Sequence, residues 1–312
     1  MKFALFSGCT TPARLKQYES SSRAVLENLG LDLVDIKEFN CCGYPIRNID
    51  FSLSILSAAR NLALAEKENL NVIVLCKCGF GMFKKAEHVL RKDSSLRQRI
   101  NNTLKKEGLE FRGNIKTRHL LYVLYHDVGL EAIKEKVTRP YRDVKIATHY
   151  GCHALRPSEI VDFDDPNNPS IFDKLVELTG AESIFWRSRL DCCGAALLGI
   201  NDDLSIDLAQ KKLLDARQSG AHYLCNACPY CHIQLDAVQK MINSERGGNH
   251  VLPSILYPQL LGLSLGIDSK TLGLAMNQID ITAIEGFLTS QNFNNPLKVQ
   301  HFIKRPAILR KE

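Results

Sequence analysis

Cysteine is the residue type whose spacing in this chain indicates chemistry most directly. The 312 residues include 11 cysteines, and most of them fall into two similar groups. The first group consists of Cys9, Cys41, Cys42, Cys76 and Cys78. The second group consists of Cys152, Cys192, Cys193, Cys228 and Cys231. Because thiolates are soft ligands that suit iron–sulfur clusters and zinc, the sequence predicts two groups of metal ligands.

The residues around the cysteines repeat as well. A strand-like segment ends in Gly8-Cys9 in the first half of the chain and in Gly151-Cys152 in the second half. A Cys-Cys-Gly sequence occurs at residues 41–43 and again at residues 192–194. A long internal duplication is strong evidence because it shows one design twice. Both halves are therefore expected to build the same kind of site.

The adjacent cysteines restrict the kind of metal centre. A structural zinc site uses four ligands, whereas each group here offers five. Neighbouring side chains on an extended backbone point apart, so both reach one centre only where the loop bends or the centre is large. Gly43 and Gly194 follow the two pairs and permit such a bend. These features favour iron–sulfur clusters, with zinc and ordinary buried or redox-paired thiols as the alternatives.

The segments between the cysteines indicate the fold. Short apolar runs predict strands at residues 2–6, 71–75, 144–149 and 222–224. Helical periodicity occurs between them, at residues 11–30, 52–69, 171–180, 204–220 and 230–243. This alternation is typical of an α/β fold with a mostly parallel sheet, where ligands bind at the carboxyl ends of the strands. We predict two pseudo-repeated α/β domains, residues 1–140 and 141–250, and a helical C-terminal extension, residues 251–312, packed on the second domain.

Composition excludes several classes of protein. Hydrophobic residues make up 45% of the chain and charged residues 24%, as in ordinary globular proteins. The net charge of +6 comes from 40 basic and 34 acidic residues without a concentrated basic stripe, which argues against nucleic-acid binding. The most apolar stretch, residues 251–267, contains two prolines and is too short to span a membrane. The apolar start of the chain is too short for a secretion signal, so a cytoplasmic protein is expected.

The order of the cysteines resembles that of the cysteine-rich CCG-domain family, and within it the HdrB subunit of heterodisulfide reductases. The resemblance covers essentially the whole chain and is carried by residues 1–10, 149–153, 192–195, 228–236 and 259–266. In that family each motif binds a noncubane [4Fe-4S] cluster through five cysteines. The resemblance therefore implies two iron–sulfur clusters here, held by the two cysteine groups.

The first motif departs from the family pattern. The family has Cys-x-x-Cys, whereas this chain has Cys76-Lys77-Cys78-Gly79. A loop loosened by Gly79 and Gly81 allows Cys78 to ligate one position early. A four-coordinate site, or an ordinary or smaller cluster, is the alternative. Cys225 has no counterpart in the family and is interpreted as a packing residue.

The resemblance also implies a function. A disulfide takes up two electrons on reduction, and two clusters that pass one electron each meet that need. We expect a catalytic subunit that interconverts a disulfide, or protein-bound lipoyl or sulfane sulfur, and thiols. His153, which follows Cys152, is the candidate catalytic proton donor, and His232 is a weaker one.

Electrons must come from other proteins, because the chain lacks a dinucleotide-binding fingerprint. The resemblance implies two partners, the flavin-bearing subunit and the small [4Fe-4S] subunit of a heterodisulfide-reductase-like complex. In the sulfur-oxidising systems it also implies a lipoate-binding carrier protein. Two alternative functions stay open. One is an electron-transfer subunit of a flavin dehydrogenase without a substrate site of its own, and the other is a zinc-stabilised scaffold.

Overall fold

The computed structural model describes residues 1–245 and 251–289, which form two parallel sheets of four strands each. The strands of the first sheet are β1 (Lys2–Phe6), β2 (Asp32–Val34), β3 (Asn71–Val74) and β4 (Thr117–His119). Those of the second are β5 (Lys145–His149), β6 (Glu182–Ile184), β7 (Tyr223–Asn226) and β8 (Ser254–Leu256). The orders are β2-β1-β3-β4 and β6-β5-β7-β8. The two sheets have the same topology, and the predicted α/β fold with two pseudo-repeated units is confirmed.

Helices connect the strands, as parallel pairing requires. In the first half they are α1 (Thr10–Arg14), α2 (Lys16–Asn28), α3 (Phe51–Lys67), α4 (Lys77–Lys92), α5 (Ser94–Leu104), α6 (Leu120–Tyr122) and α7 (Leu130–Lys136). A π-helical segment, Val123–Gly129, joins α6 to α7. The later helices are α8 (Cys152–Leu155), α9 (Ser158–Val161), α10 (Ile171–Glu177), α11 (Asp202–Gln218), α12 (Pro229–Leu235), α13 (Ala237–Glu245) and α14 (Tyr257–Ser264).

Helices α3 and α11 occupy equivalent places in the two repeats and begin in the same way. The side chain of Asp50 accepts a hydrogen bond from the backbone N–H of Leu53 at the start of α3. Asn201 does the same for Leu204 at the start of α11. Short polar side chains at this position satisfy N–H groups that the helix leaves unpaired. Both helices therefore start at a fixed distance from the Cys-Cys-Gly sequence that precedes them.

The segment after residue 250 differs from the predicted helical extension. It begins with strand β8, which pairs with β7 and completes the second sheet. The sequence did not predict this strand, because three residues are too few to show a period. Helix α14 then packs against α2 of the first half, and the Tyr257 hydroxyl donates to the carbonyl of Leu175 in α10. The domain limits stay a prediction, and residues 290–312 lie outside the described part of the chain.

Most of the buried apolar side chains form one large core that includes residues of both sheets, and a small separate cluster lies between α11 and α13. Strands β1 and β5 lie inside the large core, and four of the five residues of each strand are buried. The carboxyl ends of the central strands of each sheet lead directly into the cysteine-bearing loops. No helix in residues 1–245 and 251–289 is long and apolar enough to cross a membrane.

Candidate functional site

The two Cys-Cys-Gly sequences form the same tight loop. Gly43 and Gly194 have φ angles of +85° and +86°. Residues with a side chain rarely adopt this backbone conformation. A Cβ atom at either position would lie within 2.5 Å of a backbone carbonyl oxygen of α3 or α11. Each glycine N–H points back to the first cysteine of its pair, 3.4 Å from the Sγ atom of Cys41 or Cys192. The bend predicted from the glycines is thus present in both halves.

These N–H groups favour the charged form of the sulfur that they face. A hydrogen bond from the Cys42 thiol is the main cause that lowers the pKa of Cys41 to about 6. Hydrogen bonds from Cys152 and Cys193 likewise lower the pKa of Cys192. Each loop therefore presents one thiolate at neutral pH, which is the form that binds metal.

The first cysteine group converges on one pocket at the end of β1 and β3. The pocket is lined by four of the predicted cysteines together with aromatic side chains, among them Cys9, Cys42, Cys76, Cys78, Tyr44 and Tyr230. The fifth cysteine, Cys41, contacts the thiols of Cys9 and Cys42. All five sulfur atoms predicted for the first site are therefore brought together, including Cys78 at its shifted position.

The second cysteine group converges in the same way at the end of β5 and β7. The Sγ atoms of Cys193 and Cys231 lie 3.7 Å apart. Cys192 contacts Cys152 and Cys193, and Cys228 contacts Cys231. The five predicted sulfur atoms again form one cluster, without a disulfide among them.

The two groups meet each other across the two repeats. The thiol of Cys228, in the second group, contacts both Cys76 and Cys78 of the first. The Nδ1 atom of His153 lies 3.4 Å from the Sγ atom of Cys78. The sequence does not show this arrangement, in which the two sites share one locus.

His153 is half-buried, and its ring packs edge-on against Tyr44 at 5.0 Å between centroids. Burial lowers the pKa of His153, so the imidazole is neutral at pH 7. A neutral ring carries one N–H, which suits a hydrogen bond to sulfur better than the transfer of a proton. The assignment of His153 as a catalytic residue stays a prediction.

His232, the weaker candidate, lies in a different environment. It is fully buried, with its Nδ1 atom within hydrogen-bond distance of Asn226 and Ser254, and burial lowers its pKa to about 3. These contacts support the loop that carries the closing cysteines. Cys225 is fully buried in β7, in agreement with its interpretation as a packing residue.

Lys77 belongs to the first motif but points into the second half. Its side chain is only 1% exposed, and its ammonium group donates to the backbone carbonyls of His149 and Tyr150. A Cβ atom at Gly151 would lie 3.5 Å from both the Lys77 Nζ and the Cys231 Sγ. Lys77 is therefore a buried cation beside the second group.

Lys212 is a second buried lysine, also 1% exposed. Its ammonium group donates to the carbonyl of Ser188 and lies 4.5 Å from the centre of the Trp186 ring. Burial lowers the pKa of Lys212 to about 8, against the nearby charges of Cys193 and Asp191. The side chain therefore remains mainly charged at neutral pH.

His149 is a site residue that the sequence reasoning missed. It is fully buried at the end of β5, and neither ring nitrogen has a hydrogen-bond partner among the described residues. One nitrogen lies within 4.8 Å of the Sγ atoms of Cys193 and Cys231. Buried polar atoms are rarely left without a partner. The available signals were its place in the repeat, where the first half has Phe6, and its place in residues 149–153, which carry the family resemblance.

The donor set fits iron–sulfur chemistry. Each group offers five thiols, which suit clustered iron, and buried cations and an unpaired imidazole nitrogen surround the second group. A protein core that only packs, and holds no bound group, would be built from apolar side chains instead. The residues that would hold the clusters are the ten cysteines already named in the two groups.

The fold and this paired cysteine site define a class of protein. The sequence profile of the CCG cysteine-rich domain matches residues 3–84 and again residues 146–236. The chain therefore belongs to the CCG cysteine-rich domain family, and the predicted resemblance is confirmed.

Two relatives match nearly the whole chain. The HdrB subunit of a ferredoxin:CoB-CoM heterodisulfide reductase of Methanosarcina mazei is 35% identical over 283 residues, which cover 89% of this chain and 94% of the relative. An 8-methylmenaquinol:fumarate reductase membrane anchor subunit of Wolinella succinogenes is 33% identical over 284 residues, which cover 91% and 99%. These similarities support an iron–sulfur, oxidoreductase role within a complex of several subunits.

A solved structure confirms the fold independently. The crystal structure of a hypothetical protein from Helicobacter pylori superimposes with a TM-score of 0.71 at 18% identity. The superposition covers 90% of this chain and 52% of that chain. At this identity the likeness concerns the fold alone.

Proposed function

We propose that this protein is the iron–sulfur catalytic subunit of a heterodisulfide-reductase-type complex. It interconverts a disulfide, or protein-bound lipoyl or sulfane sulfur, and two thiols. The reduction RSSR′ + 2e⁻ + 2H⁺ → RSH + R′SH consumes two electrons. When bound, two clusters, which we propose to be noncubane [4Fe-4S] clusters, would supply or accept one electron each.

The observation that supports this proposal is the meeting of the two cysteine groups. Cys228 contacts both Cys76 and Cys78, so two one-electron centres would lie beside one reacting disulfide. Two clusters far apart in the molecule would instead suit electron transfer from one partner protein to another. A two-electron reaction at one locus avoids leaving a half-reduced sulfur species free.

The residues around the locus supply access and positioning. Cys9 and Cys192 are exposed, whereas the closing cysteines are buried, so a substrate would approach from the side of these two residues. Tyr44 and Tyr230 line the first pocket. The N–H of His153 is placed to stabilise negative charge on sulfur, as a hydrogen bond to a thiolate does.

The proposed partners are the flavin-bearing subunit and the small [4Fe-4S] subunit of such a complex and, in a sulfur-oxidising system, a lipoate-binding carrier. Exposed apolar side chains beside both Cys-Cys-Gly loops support docking there. They are Ile49, Phe51 and Leu53 in the first half and Leu198, Ile200 and Leu204 in the second. Such patches beside a redox centre are typical of protein interaction sites.

The test measures iron and sulfide after strictly anaerobic purification, followed by electron paramagnetic resonance (EPR) of the dithionite-reduced chain. Two four-iron clusters give about 8 iron per chain with matching sulfide. Addition of the CoB-CoM heterodisulfide or of oxidised lipoamide is expected to change the spectrum of the reduced clusters. About 4 iron per chain, or a spectrum unchanged by saturating disulfide, contradicts the proposal.

The second candidate is an electron-transfer subunit that has no substrate of its own. The similarity to a fumarate reductase subunit of Wolinella succinogenes favours it. In that case disulfides leave the EPR spectrum unchanged, while a flavoprotein dehydrogenase from the same source oxidises or reduces both clusters.

A further inference from the structure

The two repeats are alike in their cysteines but differ in the side chains that surround them. Superposing the Gly-Cys sequences places His149 where the first half has Phe6. Superposing the Cys-Cys-Gly loops and helices α3 and α11 places Lys212 where the first half has Asn61. Each difference puts a cationic or hydrogen-bonding group beside the second cysteine group and a neutral or apolar one beside the first.

Lys77 adds to this asymmetry. It lies in the first motif, but its ammonium group bonds to the carbonyl oxygens that precede Gly151, on the side of Cys231. The equivalent residue of the second motif is Pro229, which is uncharged and so places no cation beside the first group. The first site thus contributes a buried cation to the second site and receives none through this position.

The ammonium groups of both lysines are bonded to backbone carbonyls rather than to carboxylates. Carbonyl groups solvate a cation without neutralising its charge. Asp191, which lies near Lys212, is exposed and therefore screened by water and salt. The positive charge of the two lysines thus acts mainly on the thiolates and on whatever they hold.

His149 is the third residue that distinguishes the second cysteine group from the first. Coulombic contributions from both lysines act on His149, which places its ring in the field of the two ammonium groups. Its unpaired nitrogen lies within 4.8 Å of the Sγ atoms of Cys193 and Cys231. An N–H so placed has cluster sulfur as its available acceptor.

We propose that Lys77, Lys212 and His149 raise the reduction potential of the second cluster above that of the first, so that the second site takes up the first electron. This inference rests on the proposed function, because it assumes that both clusters are present. Positive charge and hydrogen bonds to sulfur both stabilise the reduced, more negative cluster. In the disulfide reaction a one-electron protein donor would thus fill the second site before the first.

Solvent exposure does not explain such a difference, because the two groups are exposed to similar degrees. Each has one exposed cysteine, one half-buried cysteine and three buried ones. A cation beside the first pocket is Arg47, which stacks on Tyr44 at 3.7 Å and is half-exposed. A half-exposed charge is screened more strongly than a buried one, so the balance favours the second site.

The test is a potentiometric titration with dithionite, followed by EPR. The second-site signal is identified as the one lost in Cys231→Ser. We expect this signal to appear at the higher potential. Lys212→Asn, which copies the first repeat, is expected to lower its reduction equilibrium constant at least tenfold, or 59 mV for one electron, and to leave the first-site signal in place. His149→Phe and Lys77→Met are expected to act in the same direction.

Two controls separate charge from folding. Lys211→Asn changes an exposed neighbour on the same helix and is expected to leave both potentials unchanged, and Lys212→Arg is expected to keep the parental values. The inference is overturned if the first-site signal appears at the higher potential, or if Lys212→Asn moves both signals equally or neither. If Lys212→Asn loses iron, His149→Phe provides the same comparison. Iron in the second group alone would contradict the proposed two-cluster function. Even then, the inference requires Lys212→Asn to lower the reduction potential of the second cluster.

Discussion

The Sγ atom of Cys78 lies 3.4 Å from the Nδ1 atom of His153, so a cysteine of the first repeat is hydrogen-bonded to a histidine of the second. Cys78 is the residue whose position departs from the expected spacing. Gly81, three residues further on, lets the chain pass close to the His153 backbone, since a Cβ there would lie 3.5 Å from its carbonyl oxygen. The altered first motif therefore packs closely against helix α8.

Replacing His153 tests whether this contact matters for the reaction. His153→Leu removes the N–H while keeping a side chain of similar size. A hydrogen bond to a charged group contributes about 1.5–3 kcal/mol, so we expect disulfide turnover to fall roughly 10- to 100-fold. Steady-state turnover with a reduced viologen as electron donor is the measurement.

The conservative variant His153→Gln retains an N–H donor and is expected to recover part of the lost turnover. Iron content should match the parent protein in both variants, because neither removes a thiol. Equal turnover of His153→Leu and the parent would show that the hydrogen bond is structural only.

The glycine of each Cys-Cys-Gly loop is expected to be irreplaceable. A Cβ at Gly194 would lie 2.5 Å from the carbonyl oxygen of Ser205, in addition to the cost of a positive φ. For Gly194→Ala we expect destabilisation by roughly 2–5 kcal/mol and loss of iron from the second site. Thermal unfolding and iron analysis measure the two effects.

Gly220→Ala is the matched control, because Gly220 also has a positive φ but has open space around its Cβ position. It should cost only about 1–2 kcal/mol and leave the iron content unchanged. If both variants lose iron alike, the close approach to Ser205 is not what the loop requires.

The sequence predicted the fold class because the central strands are apolar runs beside helices of clear period. It missed β2, β4 and β6, which have three residues each and lie at the sheet edges, because three residues are too few to show an alternation. It placed β8 in a helical extension for the same reason. Short edge strands form because a central strand offers them hydrogen bonds, and single-segment patterns do not contain that information.

The local geometry of the site was similarly accessible, since Gly43 and Gly194 signal the bend. The contacts between the repeats were not. Lys77 and the carbonyl of Tyr150 are separated by 73 positions, and their contact depends on how the two halves pack. The sequence did not single out His149, because a histidine at the end of an apolar strand is most often an ordinary buried residue.

The shifted cysteine of the first motif provides the next test. Cys78 is buried in the first pocket beside Cys76 and Cys228. If it ligates the first cluster, Cys78→Ser should lower iron from about 8 to about 4 per chain, because a weak ligand replaces a thiolate. Iron and sulfide analysis of anaerobically purified protein is the measurement.

Cys225→Ala is the control, because Cys225 is at least as buried as Cys78 but lies in the sheet. It should retain the full iron content and lose about 1 kcal/mol of stability from the small cavity. Full iron in Cys78→Ser would assign the first site to the other four thiols.

His119 is a buried group that makes stability depend on pH. Its Nδ1 accepts from the N–H of Leu121, and its Nε2–H donates to the carbonyl of Ala227, each at 3.2 Å. The bond from Leu121 requires an unprotonated Nδ1 and so a neutral ring, and burial lowers the pKa of His119 to about 3. The unfolded chain has a histidine pKa near 6.5, so below that pH the unfolded state binds one more proton than the folded state.

Each pH unit below about 6.5 therefore removes about 1.4 kcal/mol of unfolding free energy through His119, or about 2 kcal/mol between pH 6.5 and pH 5. His119→Gln keeps a donor and an acceptor but cannot take up the proton. Denaturant unfolding of the reduced, metal-free chain at pH 7, 6 and 5 should thus show a slope against pH that is shallower in the variant by about one proton. Comparing the variant with its parent cancels the other buried histidines, and equal slopes would mean that His119 is already protonated or solvated in the folded protein.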